Sequence, residues 1–116
     1  MPTLQLDTLT CIRKQDLTGD DEPQIVVDGD VVWGPRKMNP NDQEDAPRER
    51  TLDIPIPFAD VVEVKLQEMN GDNPKQIGAS QYIRVDRPRS PVEFSTSGAR
   101  YELAYTIQGT GSGTTS

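Results

Sequence analysis

Apolar positions in this chain recur with a period of two, and the runs that carry them are short. Leu4, Leu6, Leu9 and Ile12 give an imperfect alternation over Leu4 to Arg13, compatible with one long strand or two short ones. Gln24 to Val27 and Val31 to Trp33 are rich in β-branched residues and flank Asp28-Gly29-Asp30. An Asp-Gly pair in that setting predicts a hairpin, because both central residues of the favoured turn take positive φ. Trp33-Gly34-Pro35 then ends the strand. Alternation resumes at Leu52, Ile54 and Ile56 within Arg50 to Ile56, and stops at Pro57. Val61, Val62, Val64 and Leu66 predict the central strand. Gln76 to Val85, a short strand at Val92 and Phe94, and the clean alternation of Tyr101 to Ile107 complete the series.

The segments between are polar. Met38 to Arg50 carries Asn-Pro, Asn-Asp and Ala-Pro pairs and predicts a long surface loop. Residues 109–116 are rich in Gly, Ser and Thr and predict a flexible tail, which leaves 1–108 as a single domain. Ten prolines and nine glycines argue against long helices. Seven or eight strands at regular spacing, with no helical periodicity, predict an all-β fold, an antiparallel β-sandwich.

Composition narrows the function. A chain of 116 residues with 33% hydrophobic content makes one domain with a thin core. The net charge of −7 disfavours nucleic acid, whose phosphates demand a basic face. It equally disfavours adsorption to anionic membranes, although Leu17 and Met69 near two loop tips would allow shallow insertion. Basic residues concentrate only at Arg48-Glu49-Arg50 and from Arg84 to Arg89, both interrupted by acids or prolines. No apolar run approaches the roughly 18 residues that span a bilayer. Met1 to Asp7 has neither the basic nor the apolar region of a secretory signal, so a soluble chain is expected.

Two absences remove most catalytic chemistry. With no histidine, Ser-His-Asp and Cys-His nucleophiles and histidine-held metals are impossible within the chain. A single cysteine, Cys11, allows neither an internal disulfide nor a multi-thiolate zinc site, and its apolar surroundings predict burial. Paired carboxylates would serve a glycosidase, but one tryptophan is little to build a sugar cleft from. A non-enzyme is expected.

The chemistry that remains lies in carboxylates. Asp16, Asp20, Asp21 and Glu22 place four of them in seven residues between two apolar runs, and hard oxygen ligands of this kind suit calcium. A solvated strand connection would use the same residues, with Asp16 capping a turn and Gly19 supplying positive φ. A second polar loop, Glu68 to Asn73, lies about fifty residues on and holds Glu68, Asn70 and Asp72.

Taken with their flanks, Asp16-x-x-Gly19-x-Asp21-Glu22-Pro23-x-Ile25-x-Val27 and Val62-Glu63-Val64-x-Leu66-x-Glu68-x-Asn70, ending in Ile77-Gly78, resemble the first and third loops of the C-two domains. These are the calcium- and lipid-binding β-sandwiches of protein kinase C and synaptotagmins. The resemblance spans residues 4–107, with its motifs in about a quarter of that length. It implies an eight-strand sandwich and a calcium cup built from Asp16, Glu22, Glu68 and Asn70. Asp20, Asp21 and Asp72 join that set by composition and proximity. Glu22 stands where the family has Asp, Glu68 and Asn70 where it has an Asp-x-Asp pair, and Pro74 and Lys75 where it has acids. The sequence therefore carries two expectations. One is a calcium-binding module that is stabilised by the metal or meets a partner through its acidic loops. The other is a metal-independent protein-interaction or self-assembly module that uses an edge strand or the 38–50 loop.

Overall fold

A computed structural model describes residues 1–14, 21–70 and 73–109, with the backbone alone at Asn70. Asp16, Leu17, Gly19, Asp20 and Asp72, together with tail residues 110–116, lie outside the described residues. The described residues form nine strands: β1 (Thr3–Arg13), β2 (Pro23–Val27), β3 (Asp30–Trp33), β4 (Glu49–Pro57), β5 (Val61–Asn70), β6 (Asn73–Gln76), β7 (Gln81–Arg84), β8 (Val92–Ser95) and β9 (Arg100–Gln108). One sheet runs β4-β1-β9-β8. The other runs β3-β2-β5-β6, with β7 pairing the first half of β5. All pairings are antiparallel. The expected β-sandwich forms, with one strand more than the upper count read from the pattern.

The inner faces supply a continuous core. Leu4, Leu6, Leu9 and Cys11 of β1 meet Tyr101 and Leu103 of β9, and Ile25, Val62, Val64, Leu66 and Ile83 come from the other sheet. Each fully buried aliphatic side chain contributes roughly 1.5–3 kcal/mol relative to exposure. Strand β1 is a single long strand, and its imperfect alternation has a local cause. The register slips between Leu6 and Thr8 against both neighbours, so inward positions change phase from 4 and 6 to 9 and 11. Cys11 faces the core where the pattern alone would put Ile12. Hydrogen bonds pin the irregularity: Thr106 donates to Asp7 at 2.7 Å, and Gln5 donates to Asp53, a positive-φ residue, at 2.6 Å.

The Asp28-Gly29 hairpin forms as predicted, with φ of 48° and 88° at the two residues. Two other expectations are corrected. Gln76 to Val85 is not one strand, because the chain turns at Gly78 (φ 71°) so closely over Ser95 that a Cβ there would lie 2.8 Å from backbone atoms. The 38–50 segment is not purely surface. Met38 and Ala46 are wholly buried and Asn39 nearly so, because the sandwich end needs an apolar cover and Met38 supplies it.

Candidate functional site

The end of the sandwich where β2 begins and β5 finishes brings together the two acidic segments singled out by sequence. Strand register sets Pro23 opposite Glu68, and the Met69 N–H donates to the Glu22 carbonyl at 3.0 Å. The Glu22 N–H in turn donates to Oε2 of Glu68 at 3.4 Å, across 46 residues of sequence. Glu22 is exposed, and Glu68 is 7% exposed. These two expected ligands are therefore neighbours. The backbone of Asn70 pairs with Asn73 at the end of β5, in the β5–β6 ladder on the opposite edge of that strand.

Asp21 stands differently. Its backbone exchanges two hydrogen bonds with Met38, at 3.1 and 2.8 Å. Its side chain is wholly buried, and the Tyr101 hydroxyl donates to Oδ2 at 2.7 Å. A buried carboxylate persists only with such compensation, so Asp21 anchors the start of β2 to β9. Among the described residues no three Asp, Glu or Cys side chains converge as a metal cage. Calcium takes six to eight oxygens, so a complete cage at this end requires ligands from the segments that hold Asp16, Asp20 and Asp72.

Beneath Asp21 lies a small polar cluster that the sequence reading did not assemble. The Cys11 thiol and the Tyr101 phenol are hydrogen-bonding neighbours, and Asp21 stands beside both. Burial first, opposed by the bond to Tyr101 and supported by the Asp21 charge, pushes the Cys11 thiol up to about 11. Burial first, then Cys11 and Asp21, raises the Tyr101 phenol far above its ordinary range. Both groups are therefore neutral donors at physiological pH, which removes the thiolate needed for nucleophilic chemistry. A tyrosine at an inward position of an alternating strand was the available signal, since a buried phenol needs a partner for its hydroxyl.

No helix among the described residues is long and apolar enough to cross a membrane. No protein-family model matches the chain, and no curated protein matches it.

Proposed function

We propose that the chain is a non-enzymatic β-sandwich module whose loop end takes a calcium ion, with Glu22 and Glu68 as ligands and Asp16, Asp20, Asn70 and Asp72 completing the set. The observation that carries this reading is the register of β2 on β5. It sets the carboxylate of Glu68 against the backbone of Glu22, so two acidic segments distant in sequence share one end of the fold. A cation that binds carboxylates from both segments stabilises the state that holds the segments together. Asp21 serves the site as an anchor through Tyr101. Calcium titration followed by calorimetry tests the reading. Saturable binding that weakens in Glu68→Gln supports it, and no heat at millimolar calcium refutes it.

One feature favours a second, metal-independent reading. Strand β3 is an edge of its sheet, Val31 on it is 54% exposed, and a shallow groove of about 520 Å³ follows it from Val31 to Arg36. An open edge of this kind accepts an added strand from a partner or a second copy. Concentration-dependent sedimentation that disappears in Val31→Lys is its signature, and sedimentation unchanged by that substitution removes β3 as the surface.

A further inference from the structure

The segment Arg84-Val85-Asp86-Arg87-Pro88-Arg89 sets three arginines against one aspartate in a chain of net charge −7. Among the described residues, no contact at the acidic loop end involves it. The structure gives these arginines a common setting. Strand β7 ends at Arg84, and the Arg87 N–H donates back to the Arg84 carbonyl at 3.3 Å to close a tight turn. The Val85 N–H donates to the Asp60 carbonyl at 3.0 Å, on the sheet that holds β7. On the other side, the Arg89 N–H donates to the Tyr105 hydroxyl, and the Tyr105 N–H donates to Oγ of Ser90 at 2.9 Å. Gln81 adds a bond from Nε2 to the Glu93 carbonyl at 2.9 Å. The arginine-bearing backbone is thus fastened to both sheets where the chain crosses between them.

A cavity of about 230 Å³ opens at this seam, lined by Gln81, Tyr82, Arg84, Arg87, Arg89 and Tyr105 among others. All three arginines are exposed, and none makes an ion pair within 4.0 Å among the described residues. Two of the nearby carboxylates have other partners, and Asp86 is exposed within the segment itself. Glu93 pairs with Arg100 at 3.1 Å, while Glu63 accepts from the Tyr82 hydroxyl at 3.1 Å and faces Lys65 at 4.0 Å. Tyr82 is 61% exposed and presents an aromatic ring at the rim.

We propose that this groove is an anion site for a phosphate monoester group. Guanidinium forks match phosphate oxygens two at a time, and three of them around one cavity suit a dianion better than a single carboxylate. The acidic remainder of the surface repels any extended polyanion. The ligand is therefore compact and confined to the groove, either a free phosphate compound or a phosphorylated side chain. Its binding weakens with salt because the groove is open to solvent.

The test is an amide-resonance titration of the full chain with inorganic phosphate, then with phosphotyrosine, at constant ionic strength. Saturable shifts confined to residues 81–92 and Tyr105 are expected. The Arg87→Gln, Arg89→Gln double variant alters only exposed side chains and should weaken binding by roughly tenfold or more, while Arg36→Gln leaves it unchanged. Tighter binding of phosphotyrosine than of phosphate identifies a phosphorylated side chain as the source, and equal binding identifies free phosphate. Shifts that do not saturate, or that persist in the double variant, overturn the proposal.

Discussion

The phenol of Tyr101 donates a 2.7 Å hydrogen bond to Oδ2 of Asp21, joining the last strand to the start of β2 across 80 residues, with both side chains sealed from solvent. Removing the hydroxyl leaves a buried carboxylate oxygen without that donor. Tyr101→Phe should therefore lower stability by about 1–3 kcal/mol, read as a shift in urea midpoint with an unchanged slope. Tyr101→Phe, Asp21→Asn should recover little of the loss, because the amide also needs a partner. A variant as stable as wild type would show that the bond contributes nothing.

Gly34 makes a separable claim about the entry to β2. Its φ is 84°, and a Cβ there would lie 2.5 Å from the Pro23 carbonyl oxygen. Gly29 has a similar φ of 88° but open space around it. Gly29→Ala should therefore show only the backbone strain of about 1–2 kcal/mol, and Gly34→Ala clearly more, since backbone must move. Equal losses in the two variants would mean that the close approach over Pro23 is not a constraint.

The buried thiol fixes the sign of a pH dependence. In the unfolded chain Cys11 ionises near 9.0, whereas in the fold burial and Asp21, against the Tyr101 bond, hold it to about 11. Between these values the unfolded state has lost a proton that the native state keeps, so stability present below pH 9 declines as pH rises toward 11. Tyr101 adds to the decline in the same direction. Urea midpoints measured across that window should fall less steeply in Cys11→Ala than in wild type, and parallel curves would contradict the assignment. The native thiol should also resist alkylation at neutral pH.

Local chemistry was the most legible part of the sequence. The Asp28-Gly29 hairpin, the inward face of β9 and the central β5 each follow from residues adjacent in the chain. What escaped depends on tertiary context. The burial of Cys11 was legible from its apolar surroundings, but the register slip beside Asp7 that changes the inward phase of β1 is defined only by pairing with β4 and β9. Met38 sits in a polar stretch, so its burial over the sandwich end has no periodic signature. At the candidate site, the meeting of Glu22 and Glu68 follows from the pairing of β2 with β5. Composition alone made Asp21 equivalent to its acidic neighbours, and the partner that distinguishes it, Tyr101, lies 80 residues away.

The central proposal is a calcium ion at the Glu22–Glu68 end, and a thermal melt tests it most directly. Calcium at about a hundred times its dissociation constant adds ~2.7 kcal/mol to the native state. For a domain of this size that raises Tm by roughly ten degrees relative to chelator. Magnesium should give little of that shift, because it demands a tighter octahedral cage, and Glu22→Gln, Glu68→Gln should abolish it. Identical melts in millimolar calcium and in chelator would contradict the proposal.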